Sequence, residues 1–237
     1  MDAQFPMRIN KYLAWRGIAT RRDADTLVEK GLVTINGAQA MLGDKVEEGD
    51  KVEVRGKGKK AKDYTYFAYN KPRGDITPQR GGEGEDELPE EAHDLGLFPV
   101  GRLDRDSRGL LILTNDGRIT DRLLNPDKEH EKEYAVKTKK PLRNNFKEYM
   151  ERGVDIGGYT TRPATVRVTG EKTFTISLTE GKKHQIRRMA VALFNEVDDL
   201  RRTRIMNVKV GTLGAGSMRP IEGNELAEFL KSLGLGE

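Results

Sequence analysis

The 237-residue sequence contains no cysteine, which excludes disulfide bonds, cysteine nucleophiles and thiolate metal sites together. Histidine is almost as scarce. His93, His130 and His184 are the only three, and none has a partner at the spacing that metal ligation uses. No stretch approaches the ~18 apolar residues that would cross a bilayer, and Met1 to Met7 offers no apolar core of a secretory signal. Hydrophobic residues make up 35% and charged residues 34%, so a modest core lies beneath a heavily charged surface. These absences set the expectation of a cytoplasmic, monomeric protein with no membrane contact and no metal or other cofactor.

The formal net charge is only +4, too small an excess to identify a nucleic-acid binder. Its distribution says more. Arg55, Lys57, Lys59, Lys60 and Lys62 form a run without an acid, and Lys182, Lys183, Arg187 and Arg188 form another, with Arg201, Arg202 and Arg204 soon after. Seven acids gather instead between Glu83 and Asp94. Segregation of this kind is expected where one face meets phosphates and another does not.

The first fifty residues read as a small unit. Ile9, Tyr12, Leu13 and Trp15 predict a short amphipathic helix ended near Gly17. Thr20 with Asp23 resembles a capping box opening a helix over residues 21–30, with Ala24, Leu27 and Val28 on its buried face. Leu32 to Ile35, the Asn36-Gly37 turn and Lys51 to Val54 predict short strands. The segments Arg8 to Leu13, Thr20 to Ala24 and Leu32 to Gly37 together resemble an S4 domain, an RNA-binding module. The resemblance implies that Arg8, Lys11, Arg21 and Arg22 meet an RNA backbone. Taken alone, basic residues on short helices are more often plain solvated faces.

Residues 7–54 are therefore expected to form the S4-like domain, 55–63 a basic, glycine-rich linker, and 64–237 a larger domain. In the larger domain the expected strands begin at Tyr64 to Tyr69 and continue at Gly109 to Leu113, Glu133 to Lys137, Thr165 to Val168, Thr173 to Leu178 and Arg204 to Val210. Helices are expected near Arg118 to Leu124, Asn144 to Glu151, His184 to Phe194 and Glu225 to Lys231, and an exposed acidic loop over Gly81 to Asp94. Their irregular alternation, without βαβ regularity, predicts an α+β fold with a mixed or antiparallel sheet.

Val100 to Gly117 carries the chemistry. Two glycines, Gly101 and Gly109, bracket a charged loop that runs straight into the apolar strand Leu110 to Leu113, which places polar groups at the mouth of a core-supported cleft. An exposed Arg/Asp turn has the same composition, but the full stretch resembles the active-site motif of RNA pseudouridine synthases of the bacterial RsuA/RluB/RluF branch. Three other segments resemble family motifs in the family's order: Tyr69 to Gly74, Lys132 to Val136 and Glu180 to Met189. The resemblance implies that Asp104 is the essential carboxylate, that Tyr134 stacks on the uracil, and that Arg187 neutralises Asp104. It also implies that Arg102 fills the gap left by an extruded base, with Lys71, Arg105, Arg108 and Arg188 as RNA backbone contacts. Isomerising uridine imports no group and oxidises nothing, so the reaction calls for no metal or redox cofactor.

Two other readings compete. A non-catalytic S4-type RNA-binding factor leaves the Asp104 motif without a purpose. A glycosidase built on Asp104 and Asp106 fits poorly, because adjacent arginines suit a polyanion better than a neutral sugar. Within the family, residues 127–134 and 202–208 resemble the RluF type most. That implies ribosomal RNA as partner, 23S near the peptidyl-transferase region being favoured over 16S, with tRNA as a further possible substrate.

Overall fold

The computed structural model describes residues 5–55, 64–77 and 88–236. The chain divides into two compact units, the first formed by residues up to Tyr64 with the short segment 116–119, the second by the remainder. The linker expected at 55–63 lies, apart from Arg55, outside the described residues. No described helix is long and apolar enough to cross a membrane.

In the first unit, strand β1 (Met7–Arg8) leads into helix α1 (Ile9–Trp15) and helix α2 (Arg21–Glu29). Four short strands follow, β2 (Val33–Ile35), β3 (Ala38–Gln39), β4 (Lys45–Val46) and β5 (Val52–Val54). They pair as β3-β2-β5 and β1-β4. Thr20 caps α2 as its spacing predicts, its hydroxyl oxygen accepting the Asp23 N–H at 3.2 Å. Asn36 and Gly37 both take left-handed backbone, φ 51° and 82°, the requirement of a two-residue hairpin turn between β2 and β3. Ile9, Leu13, Ala24, Val28, Val33 and Val46 form the core. Arg8, Lys11, Arg21 and Arg22 are exposed, and none of them has a carboxylate partner among the described residues.

The second unit runs β6 (Tyr66–Lys71), α3 (Glu90–Asp94), β7 (Phe98–Val100), β8 (Arg108–Thr114), α4 (Arg118–Leu124), β9 (Lys132–Thr138), α5 (Phe146–Glu151), β10 (Thr165–Gly170), β11 (Thr173–Leu178), α6 (Gln185–Ala192), β12 (Val197–Ile205), β13 (Val208–Lys209), β14 (Met218–Pro220) and α7 (Gly223–Ser232). Its sheet has the order β10-β11-β9-β12-β8-β6-β14, with β13 on β12 and β7 on β8. All pairs are antiparallel except β12 with β8, so the sheet is mixed and the fold is α+β. The run Leu110 to Leu113 is wholly buried, as befits a central strand covered on both faces. Beside β9, β10 and β11 a second core gathers Phe146, Met150, Phe174, Ile176, Ile186 and Met189.

Two elements depart from expectation. The acidic stretch expected as a loop ends in helix α3. Pro89 occupies its N-cap, Glu90 and Glu91 sit in its first turn, and Ala92 is buried. Acids at a helix N-terminus are favoured by its dipole, so the charges that signalled a loop help to form a helix. Residues 81–87 of that stretch lie outside the described residues. The strand expected over 204–210 begins earlier, at Val197, and ends at Ile205, where Met206 turns with φ 52°. Asp198, Asp199, Arg201 and Arg202 concealed it. The hydrogen bonds that β12 makes to β9 on one side and to β8 on the other outweigh that unfavourable composition, and Arg108–Asp199 and Arg204–Glu131 ion pairs at 2.6 Å absorb part of the charge.

Gly109 fixes how closely β8 and β12 approach. It faces Arg202 in the parallel ladder, its φ is +106°, and a Cβ placed there would lie 2.3 Å from the Arg202 carbonyl oxygen and 2.7 Å from its nitrogen. Backbone cannot swing aside as a flexible side chain can. Gly109→Ala is therefore expected to lower stability by about 2 kcal/mol, from strained φ and overpacking together. Urea unfolding checks this, and an unchanged midpoint would show that the two strands separate at no cost.

Candidate active site

The turn between β7 and β8 is held at almost every residue. Leu103 is buried, its N–H donates to Thr77 Oγ1 at 3.2 Å, and the Thr77 hydroxyl returns a bond to the Leu103 carbonyl at 2.9 Å. The Ser107 N–H donates to the Asp104 carbonyl at 2.9 Å. Arg105 and Gly74 exchange two bonds of 2.9 Å, Gly74 N–H to the Arg105 carbonyl and Arg105 Nε to the Gly74 carbonyl. Lys71 Nζ ties the Pro72 and Ser107 carbonyls at 2.9 and 3.0 Å. Such fixing of the turn pre-positions the Asp104 side chain, which is half-buried at the cleft.

Asp104 lines a cleft of about 940 Å³ whose walls also include Arg102, Lys132, Tyr134, the segment 178–186 and Arg202. Its carboxylate is 41% exposed, and Oδ1 lies 3.5 Å from His184 Nε2, an ion pair whenever the imidazole is protonated. His184 has φ 53° and immediately precedes α6. The loop leading to it is anchored by buried Glu180. That carboxylate accepts the Tyr159 hydroxyl at 2.5 Å, the Arg162 N–H at 2.9 Å and Gln185 Nε2 at 2.8 Å.

Arg187, one turn into α6, does not reach the Asp104 carboxylate. Its guanidinium donates to the Asp106 carbonyl at 3.0 Å, to Ser107 Oγ at 3.2 Å and to the Val197 carbonyl at 3.4 Å. It clasps the second half of the turn that carries Asp104. Arg188 instead bonds the Ile156 carbonyl beside a separate hollow. Tyr134, on β9, lines the cleft half-buried and packs with Leu103 and Leu111 on one side and with the β11 core on the other. Arg102 is exposed at the cleft and has no hydrogen-bonding partner among the described residues.

Two residues expected at the RNA backbone are placed otherwise. Lys71 is 1% exposed and holds main-chain carbonyls, so it cannot reach a ligand. Its position at the end of the well-buried strand β6 draws it inward. The Arg108 fork grips Asp199 at 2.9 and 2.6 Å, which raises the arginine pKa and lowers that of the aspartate. Both residues shape the site from behind.

Lys132 is a cleft residue that pattern reading left without a role. Burial, reinforced by Arg202 nearby, lowers its ammonium pKa to about 8. Arg202 is itself buried, donates through Nε to the Leu110 carbonyl at 2.7 Å, and leaves Nη2 without a hydrogen-bond partner among the described residues. A lysine is cationic below its pKa, so the cleft loses a positive charge as pH rises through 8. RNA affinity is expected to fall across pH 7–9 with that midpoint, and Lys132→Arg, charged throughout, to flatten the transition. Binding isotherms at fixed ionic strength check this, and an identical transition in the variant would assign it to another group.

Residues 65–192 match the RNA pseudouridylate synthase family and residues 7–52 match the S4 domain. The chain belongs to the RNA pseudouridine synthases. It is 39% identical to the dual-specificity RNA pseudouridine synthase RluF of Escherichia coli (strain K12), over 95% of this chain and 79% of that protein. It is also 33% identical to the ribosomal large subunit pseudouridine synthase B of Bacillus subtilis (strain 168), over 92% and 93% of the two chains. A crystal structure of a pseudouridylate synthase superposes with a TM-score of 0.67 at 26% identity, covering 96% of this chain and 99% of the other.

For an RNA pseudouridine synthase the cleft has suitable contents, a carboxylate on a pinned turn with an aromatic ring and several cations around it. In this synthase two residues that touch the Asp104 turn were concealed by the sequence. Thr77 belongs to no motif, and no local signal marks it as the clamp on Leu103. His184 lay in view between Glu180 and Met189, but only the left-handed turn before α6 brings it to Asp104.

Proposed function

We propose that the enzyme converts a uridine of 23S ribosomal RNA near the peptidyl-transferase region to pseudouridine, with Asp104 as its essential group. The carriage of Asp104 on a fully braced turn, facing the cleft beside Tyr134, carries this reading. The target base must leave its helix, at a cost of a few kcal/mol, and Arg102 stands at the cleft to occupy the gap. The carboxylate acts as a nucleophile at C1′ or as a base toward the ribose. The N1–C1′ bond breaks with its electron pair left on uracil, and uracil turns against Tyr134. C5 then bonds to C1′ as Asp104 is displaced from that carbon or returns the ribose proton it took, and the C5 proton leaves to solvent while N1 takes one up. In this reading Arg105 at the cleft contacts the RNA backbone, and Arg188 does so outside the cleft, at the neighbouring hollow.

The target is tested by mapping pseudouridines in ribosomal RNA and tRNA from a deletion strain. Loss of one site in 23S RNA supports the reading, whereas loss of a 16S or tRNA site alone reassigns the substrate.

The S4 domain, joined through a linker over 55–63, supplies affinity in this reading and takes no part in the chemistry. Replacing Arg8, Lys11, Arg21 and Arg22 together by Gln is expected to flatten the salt dependence of RNA binding. Up to four released counterions would be lost, a change in slope of up to ~3.6. The single-turnover rate at saturating RNA should stay within about twofold. An unaltered slope would remove these four residues from the interface.

A further inference from the structure

A groove of about 730 Å³ lies outside the cleft, between the segment 143–152 and the end of α6. Phe194 stands in it 70% exposed, on backbone with φ 61°. A bulky side chain in the left-handed region is strained and persists only where its surroundings fix it. Asn195 does the fixing. It is buried, its Nδ2 donates to the Lys140 carbonyl at 3.0 Å, and its Oδ1 accepts the Lys140 and Glu196 N–H groups at 3.2 and 2.8 Å. The same contacts bind the loop that presents Arg143 to the loop that presents Phe194, so the groove is built rather than incidental.

Its chemistry is specific. The Arg143 guanidinium lies 4.6 Å from the centre of the Phe194 ring, and that of Arg152 lies 4.3 Å from the centre of the Tyr149 ring. Neither arginine has a carboxylate partner among the described residues, and the nearby Glu151 carboxylate turns to the Val166 N–H at 2.9 Å. Exposed rings with unpaired guanidiniums beside them, and the Asn144 and Asn145 amides alongside, combine stacking surfaces with phosphate neutralisation, as single-stranded nucleic acid requires. Helix α6 connects this groove to the cleft. His184 at its start lines the cleft, Arg188 and Val191 line an intermediate hollow, and Phe194 past its end lines the groove. The ten residue steps from His184 to Phe194 span roughly 15 Å at helical rise.

We propose that this groove is a second RNA-binding site, which stacks an unpaired base of the substrate RNA on Phe194 or Tyr149 while Arg143 and Arg152 hold the adjoining phosphates. The inference rests on the enzyme's acting on a large RNA, since a strand must extend along α6 beyond the target uridine. Phe194→Ala is expected to weaken binding to ribosomal RNA at least about fivefold, the lower end of the loss of one stacked base. The double substitution of Arg143 and Arg152 by Gln should reduce the slope of log affinity against log salt by ~1.4. Both variants should keep a single-turnover rate within twofold of wild type at saturating RNA, because neither touches the cleft. Filter binding and tritium release on the full-length enzyme measure these separately. Wild-type affinity and slope in both variants overturn the second site. Normal binding to naked RNA with weakened binding to the assembled ribosomal subunit also overturns it, by giving the groove to a protein. A wild-type enzyme that forms no pseudouridine in ribosomal RNA contradicts the substrate reading instead, and the two failures are thereby distinct.

Discussion

Asp104→Asn should reduce pseudouridine formation more than 10⁴-fold, over about 5.5 kcal/mol of barrier, while fold and RNA affinity stay almost unchanged. An amide is neither a usable nucleophile nor a base, so both roles open to the carboxylate are lost at constant size. The structural cost is small because the side chain is 41% exposed and its polar contact is His184 at 3.5 Å. The turn is held by main-chain and neighbouring groups that the substitution leaves alone: Thr77 on Leu103, Lys71 on Ser107 and the Arg105–Gly74 exchange. Unfolding stability should therefore change by no more than ~0.5 kcal/mol. RNA affinity should hold or rise slightly, since a negative charge is withdrawn from a surface that meets a polyanion. Tritium release from RNA labelled at C5 of uridine measures the turnover. A variant retaining a tenth of the wild-type rate would strip Asp104 of its role.

Much of this architecture was legible where sequence and local physics agree. The capped helix after Thr20, the Asn36-Gly37 turn and the apolar run Leu110 to Leu113 each carry a short-range signal, and each forms as its pattern requires. The segments that bear Asp104, Tyr134 and His184 were visible as motifs, and the fold brings them to one cleft. Long-range constraints were hidden. Nothing within a few residues of Lys71 says that its ammonium will be buried against the Ser107 carbonyl, thirty-six positions away. Strand β12 is rich in charge and pairs only because β8 and β9 flank it. Arg108 looked like a free cation until β12 brought Asp199 to it.

Arg187 is where local pattern and geometry differ most, and Arg187→Lys separates their consequences. A cation that served only phosphate would be replaced well by lysine, with slightly weaker binding and normal turnover at saturating RNA. The geometry gives Arg187 a different task. One guanidinium joins the Asp106 carbonyl, the Ser107 hydroxyl and, across the gap to β12, the Val197 carbonyl. It thereby locks the Asp104 turn to α6, the helix that His184 precedes. An ammonium on an unbranched stem cannot span those three acceptors in one plane, so the turn would relax and Asp104 would lose its distance to the ribose. A misplacement of about 1 Å costs on the order of 10²-fold, and a loss of that size, about 2.7 kcal/mol, is expected in the single-turnover rate while the RNA dissociation constant stays within about threefold. Ser107→Ala, which removes one of the three acceptors and leaves both carbonyls, should fall between wild type and Arg187→Lys. A lysine variant that turns over within threefold of wild type would show that the turn holds without the clasp, leaving Arg187 no positioning role.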